Sequence, residues 1–151
     1  MKGKLIHNLV MAASLEAALE LKGYPIFREL PLRSGQRPPS VDLAFRANNR
    51  FIVLECERTN ERVARDVAKA KQIGADDLKV VVPNATIRRR AISAINQLGH
   101  RNRTKGLQIQ VMTLGAALQW VANNCPACAT ARAGFPVQAK RQTVTNRGES
   151  K

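Results

Sequence analysis

The sequence predicts an α/β domain with a mixed central sheet flanked by helices. Helical and strand patterns alternate between residues 5 and 122 in the order α-β-β-β-α-β-α-β-α. Two neighbouring strands are joined by a two-residue turn, which predicts an antiparallel hairpin, whereas the later strands are separated by helices and should pair in parallel. Apolar residues make up 44% of the 151 residues, which is enough to form the core of one such domain.

The first half of the chain predicts one helix and a three-stranded meander. The helix carries apolar residues at a period near 3.6 and ends before Gly23. The first strand contains two prolines, which favours a position at the edge of the sheet. Asn48 and Asn49 separate the other two strands and form a typical hairpin turn sequence. The predicted bounds are 5–22 for the helix and 24–32, 40–47 and 50–58 for the strands.

The second half predicts helices that alternate with short apolar strands. Thr59 or Asn60 is a suitable N-cap for the first of these helices, and Gly74 follows its end. The next strand is a short apolar run of the kind found at the centre of a sheet. Thr113 can cap the last helix. The predicted bounds are 59–73, 86–98 and 114–122 for the helices and 78–82 and 107–112 for the strands.

The periodic pattern ends near residue 123. We therefore expect the α/β domain to span residues 1–124 and residues 125–151 to form a basic, disordered tail. Cys125 and Cys128 form a single CxxC motif, and since a zinc site needs about four ligands, ordinary thiols are expected. The odd cysteine count suits a reducing compartment, and no apolar stretch approaches the length of a membrane span, so we expect a cytoplasmic protein.

The charge of the chain favours a polyanionic partner. The formal net charge is +14, from 25 Lys+Arg against 11 Asp+Glu, which makes nucleic acid a better default than a membrane surface or an acidic small molecule. The distribution is uneven, because residues 78–151 contain 12 Lys+Arg and Glu149 as their one acid. With one Trp, one Tyr and four Phe, base stacking is a poor main mode, so recognition of the backbone or shape of duplex or branched DNA is expected.

The densest basic segment is a candidate DNA-binding surface. We expect its side chains to contact phosphate groups, with a solvated helix face as the alternative. Its members are Arg88, Arg89, Arg90, Arg101, Arg103 and Lys105.

Three acids are predicted to meet at one end of the hairpin. Glu55 and Glu57 are two residues apart on a strand and therefore project to the same face. Asp42 interrupts an apolar run on the paired strand, and the hairpin returns it to the two glutamates. Buried carboxylates this close need a counter-charge, and oxygen ligands suit a hard cation, so we predict a Mg²⁺ or Mn²⁺ site. Alternatively, Glu57 pairs with Arg58 or Arg62, and Asp42 is a surface residue.

These residues resemble the motif of the PD-(D/E)XK nuclease superfamily, which has the restriction-endonuclease-like fold. Residues 39–42, Pro-Ser-Val-Asp, correspond to its first part, and residues 55–57, Glu-Cys-Glu, to its Glu-x-Lys part. The loop 35–38, Gly-Gln-Arg-Pro, is similar to a loop of archaeal-type Holliday junction resolvases, which makes Arg37 a candidate DNA contact. Over residues 5–122, the resemblance implies a metal-dependent DNA endonuclease. Structure-selective cleavage is one form of this activity, and a homodimer is one option because such nucleases commonly dimerise.

One position departs from the family pattern, because the family's lysine is Glu57 here. In many members that lysine orients or activates the attacking water. Glu57 could act as the base for the water while Asp42 and Glu55 hold the metal. Alternatively, Lys69 or Lys71 on the following helix could reach back and replace the missing cation. A third option is that the site is inactive and the fold only binds.

The family often adds one further acid from the first helix. Glu16 and Glu20 are candidates there, and Glu29 on the first strand is another; Glu16 is taken with Asp42 and Glu55 as the metal ligands. Two functions follow: a metal-dependent DNA endonuclease, or a catalytically inactive DNA-binding or assembly protein on the same fold. A basic RNA- or ribosome-associated protein would be favoured if Asp42 lay far from Glu55.

Overall fold

The computed structural model describes residues 2–31, 40–98 and 106–123. Over these residues the chain forms a five-stranded mixed sheet with four helices, which confirms the predicted α/β class and order of elements. None of these helices is long and apolar enough to cross a membrane. The predicted tail, residues 125–151, lies outside the described residues. In chain order the elements are α1 (Lys2–Leu21), β1 (Phe27–Pro31), β2 (Ser40–Ala47), β3 (Arg50–Cys56), α2 (Val63–Ile73), β4 (Asp77–Val82), α3 (Ala85–Gln97), β5 (Gln108–Thr113) and α4 (Leu114–Asn123).

The strands lie in the sheet in the order in which they occur in the chain. β1, β2 and β3 are antiparallel, and β3, β4 and β5 are parallel, so β1 lies at an edge and β4 in the interior, as predicted. The predicted hairpin turn is also confirmed. Asn48 and Asn49 both have positive φ, 50° and 60°, which a two-residue turn matched to the strand twist requires and which asparagine tolerates.

The sheet separates two apolar cores. α1 and α4 cover one face, and α2 and α3 cover the other, because both parallel crossovers run over the same side. Even-numbered residues of β3 face the first core and odd-numbered residues face the second. The first core contains Met11, Leu15, Leu19, Phe45, Leu54, Cys56, Ala117 and Val121. The second contains Val53, Val63, Val67, Ala70, Val80, Ala91 and Ile95.

Several predicted element boundaries were wrong, among them the starts of β1 and α2. β1 begins at Phe27 because Tyr24 packs at the end of α1, where its N–H donates to the Leu19 carbonyl. α2 begins at Val63, and its N-cap, Arg62, makes no capping side-chain bond, whereas Thr59 Oγ1 accepts a 3.5 Å bond from the N–H of Glu61 within the preceding turn. The N-caps of the two later helices, α3 and α4, make the side-chain hydrogen bonds that Arg62 lacks.

Asn84 and Thr113 cap α3 and α4. The Asn84 side chain accepts a hydrogen bond from Ile87 N at 3.0 Å, so α3 begins at Ala85, one residue earlier than predicted. Thr113 caps α4 as predicted, with its Oγ1 3.3 Å from Ala116 N.

Phe45 is the residue whose removal should destabilise the fold most directly. It is fully buried, with its ring centroid 5.1 Å from that of Tyr24 and 6.4 Å from that of Trp120. We expect Phe45→Ala to lower the free energy of unfolding by about 3–5 kcal/mol, measured by urea denaturation followed by circular dichroism. The matched control is Leu21→Ala, because Leu21 is 90% exposed and its loss should change stability by less than about 0.5 kcal/mol. Equal stabilities of the two variants would contradict this view of the core.

Candidate functional site

Asp42 and Glu55 lie opposite each other on paired strands. The register pairs Leu43 with Leu54 and Ala44 with Val53, and its continuation by one residue beyond Leu43 places Asp42 across from Glu55. Asp42 Oδ2 accepts a hydrogen bond of 2.8 Å from the N–H of Cys56, so the carboxylate is fixed against the end of β3. The observation that would have favoured an RNA-associated protein, a wide separation of Asp42 from Glu55, is therefore not found.

Glu55 and Glu57 are both buried on the face of the sheet that α2 covers. Glu55 is 1% exposed and Glu57 is 7% exposed. Glu57 follows directly after β3, and its N–H donates to the Val81 carbonyl on β4 at 2.8 Å. Backbone pairing to β4, together with the bond from Cys56 N–H to the Asp42 side chain on β2, thus fixes the positions of these acids.

The helix α2 adds Asp66 and Lys69 to the same cluster. The two residues are three apart in the helix, so their side chains lie on one face. Lys69 Nζ lies 2.6 Å from Glu55 Oε1 and 3.1 Å from Asp66 Oδ1. It also donates a 3.1 Å hydrogen bond to the carbonyl of Ser40. Lys69, rather than Lys71, reaches Glu55, because two positions turn a side chain by about 200° around the helix axis.

Sequence reasoning missed Asp66, which is 1% exposed. A signal for it was present. Asp66 lies among Val63, Val67 and Ala70, the apolar stripe that faces the sheet. A charged residue within such a stripe is buried with the stripe and therefore needs a partner, which Lys69 supplies.

The cluster contains more negative than positive charge, and the pKa values show the consequence. Burial, Asp66 and Asp42 raise the pKa of Glu55 to about 9, against the opposing effect of Lys69. Burial and Asp66 raise the pKa of Glu57 to about 7, against the effect of Arg62. Burial also raises the pKa of Asp66, although Lys69 opposes this. Without a further cation, the cluster therefore holds protons at neutral pH.

The donor set has the chemistry of a site for a hard cation. Asp66 Oδ2 is buried without a hydrogen-bond partner, and Glu55 Oε1 has a close ion-pair partner in Lys69 but no well-aligned hydrogen bond. Buried carboxylate oxygens that lack donors are the ligands that Mg²⁺ and Mn²⁺ prefer. Across residues 2–31, 40–98 and 106–123, however, no three acidic, histidine or cysteine side chains already form a metal-ligand group. The buried carboxylates nevertheless fit a divalent cation in the type of their ligand atoms.

A cleft of about 650 Å³ opens beside the cluster, between α1 and the turn that follows β3. Asp42 and Glu57 lie on its wall, as does Glu16 from α1, which is 8% exposed and forms an ion pair with Arg28. Of the three additional acids predicted, Glu16 is the one on this wall. Glu20 is exposed further along α1, and the side chain of Glu29 lies outside the described residues. The basic side chains of the cleft are Arg28, Arg58 and Arg62.

Arg89 and Arg90 lie near the same edge of the sheet as the acids. The carboxyl ends of the parallel strands β3 and β4 share that edge, and α3 begins just beyond β4. Arg88, Arg89 and Arg90 are all exposed, and Arg88 Nε also donates a 2.9 Å hydrogen bond to the carbonyl of Val111, which joins α3 to β5. The other predicted DNA-binding residues, Arg37, Arg101, Arg103 and Lys105, lie outside the described residues.

The buried glutamates should make the stability of the metal-free protein depend on pH. The folded-state pKa values of Glu55 and Glu57, about 9 and about 7, exceed the ordinary value of 4.5, so folding takes up protons. We therefore expect the free energy of unfolding to fall as the pH rises from about 4.5 to about 9, and Glu55→Gln to reduce this slope. Urea denaturation across this range measures both. Glu61→Gln, at an exposed acid near the cluster, should keep the wild-type slope; equal slopes in Glu55→Gln and wild type would refute the assignment.

Comparison with known proteins assigns no family to the chain. No protein-family model matches it, and no curated protein has a significantly similar sequence.

Proposed function

We propose that the chain is a metal-dependent DNA endonuclease of the PD-(D/E)XK type, with a restriction-endonuclease-like core. The observation that carries the proposal is the contact of 2.6 Å between Lys69 Nζ and Glu55 Oε1. Through this contact, Lys69 on α2 takes the place of the lysine that the third strand lacks. Its partner Glu55 lies opposite Asp42. The order of elements and the open cleft beside the acids also support this function.

The residues have separate roles in this proposal. Asp42 and Glu55 would hold Mg²⁺ or Mn²⁺, and Glu16 lies on the cleft wall where it could assist. When bound, the cation would act as a Lewis acid that stabilises negative charge on the attacked phosphodiester. Glu57, with a pKa of about 7, is suited to accept the proton of the attacking water. The Lys69 ammonium, held against Glu55, would supply the positive charge that the family's lysine supplies.

The DNA backbone would be held outside the acid cluster. The net charge of +14 attracts a polyanion, and the acids would repel it locally unless cations covered them. Arg89 and Arg90 are exposed near the same sheet edge and are suited to phosphate contact. This division lets the arginines bind DNA while the carboxylates act at the scissile bond.

A second candidate is a DNA-binding or assembly protein of the same fold without catalysis. The observation that favours it is the arrangement of Lys69, whose ammonium has an acceptor in each of Glu55, Asp66 and Ser40. A fully paired lysine can also serve as a purely structural counter-charge.

Cleavage assays separate the two candidates. We expect the wild-type protein to nick supercoiled plasmid or a four-way junction in Mg²⁺ or Mn²⁺. Asp42→Asn and Glu55→Gln should each lower the rate by about 10²-fold or more, because each removes a proposed carboxylate ligand of the metal. Lys69→Met should lower it by a similar factor, and Lys71→Met, on another face of α2, serves as the matched control. Folded wild-type protein that binds DNA but cuts it in neither metal would favour the second candidate.

Arg89 and Arg90 should contribute to DNA affinity in a salt-dependent manner. Each substitution to alanine should reduce the slope of log Kd against log salt concentration by about 1 in magnitude, because each removes about one phosphate contact. Fluorescence anisotropy with duplex DNA at several salt concentrations measures the slope. Arg46→Ala is the control, since Arg46 is an exposed arginine near the hairpin turn at the opposite end of β3. Unchanged slopes for both arginine variants would exclude α3 from the DNA-binding surface.

A further inference from the structure

Asp66 contacts two residues to which the proposed function gives roles. Its Oδ1 lies 3.1 Å from Lys69 Nζ. Its carboxyl group also neighbours Glu57 and raises the pKa of that residue. Asp66 is 1% exposed and does not line the cleft, so it is placed to act through its neighbours.

We propose that Asp66 is a positioning residue that holds the Lys69 ammonium against Glu55, and that it does so at the expense of folding stability. For its catalytic consequence, the proposal rests on the proposed nuclease function. Asp66 is assigned no direct contact with DNA or metal.

The geometry explains why Lys69 needs such a partner. A lysine side chain has four rotatable bonds and loses much rotamer entropy when it is fixed in one conformation. The carbonyl of Ser40 and the carboxylate of Asp66 approach Nζ at 3.1 Å each, and Glu55 lies at 2.6 Å. Three acceptors on three elements, β2, β3 and α2, define one position for the ammonium. Without Asp66, its own helix no longer restrains it.

The same geometry indicates that Asp66 does not benefit the fold. Its Oδ2 is buried without a hydrogen-bond partner, and it lies among the acids Asp42, Glu55 and Glu57. A buried carboxylate in such surroundings is costly, and the raised pKa of Asp66 has the corresponding direction. Asparagine has the same shape without the charge. Asp66→Asn should therefore fold at least as stably as the wild type.

The test compares Asp66→Asn with Asp77→Asn, the same change at another buried ion pair. Asp77 is 5% exposed and accepts hydrogen bonds from Arg50 Nε and a second Arg50 nitrogen at 2.5 and 3.0 Å, at the end of β4 away from the cluster. Three properties are measured on full-length protein: the Tm without metal, the kcat and KM for plasmid nicking in Mn²⁺, and the ¹⁵N ammonium signal of Lys69 in NMR spectra. Asp66→Glu tests rescue by a longer carboxylate.

The expected results separate a positioning role from a structural one. Asp66→Asn should keep or raise the Tm, lower kcat by about 10²-fold with little change in KM, and broaden the Lys69 ammonium signal through faster exchange with water. Asp66→Glu should recover part of kcat. Asp77→Asn should lower the Tm and leave kcat and the Lys69 signal unchanged. A lower Tm in Asp66→Asn with an unchanged Lys69 signal would overturn the proposal.

Failure of the proposed function would be recognised separately. If the wild type cuts no DNA, the Tm and the Lys69 signal still decide whether Asp66 holds the lysine. A broadened signal with an unchanged or higher Tm would support the positioning role, and a sharp signal would overturn it.

Discussion

The contact between Lys69 and Glu55 is the interaction on which the candidate site depends. Glu55, Glu57 and Asp66 are all nearly inaccessible to water, and Asp42 lies across from the first of them. Such a group of acids repels itself, and one ammonium from α2 offsets only part of that repulsion. The remaining charge appears as raised pKa values at the end of β3. The chain therefore has, at one edge of its sheet, a buried group of acids whose ligand atoms suit a cation.

The parallel half of the sheet explains how acids and arginines from distant parts of the chain come to lie near one sheet edge. The carboxyl ends of β3 and β4 lie at the same edge, and the chain leaves this edge at the starts of α2 and α3. Residues from distant parts of the sequence are thereby brought near each other, as is common in open α/β sheets. The acids of the first half of the chain and the arginines of the second half thus come to lie near one edge of the sheet.

Much of the fold could be predicted because local pattern and tertiary structure agree. The Asn48-Asn49 turn, the alternation of β3 and the crossovers led to the observed sheet, and the pairing of Asp42 with Glu55 followed from the hairpin. The sequence left Lys69 and Lys71 as the two candidates for the lysine that reaches Glu55. The choice between them needed the rotation of α2 relative to the sheet. Asp66 was missed because propensity treats an acid in a helix as a surface residue. Its burial is a tertiary effect, and only the interruption of the apolar stripe indicated it.

The short hairpin turn has a consequence for how this chain can tolerate insertions and deletions. Asp42 lies six residues before Asn48, and Glu55 lies six residues after Asn49, so the two acids are equidistant from the turn. An inserted residue that shifted the pairing of β2 and β3 by one position would bring a core residue, Val41 or Leu43, opposite Glu55 in place of Asp42. A change in loop length that is harmless in most surface turns would here separate the acids while leaving their identities intact. The position of Asp42 across from Glu55 therefore depends on the register that this turn sets.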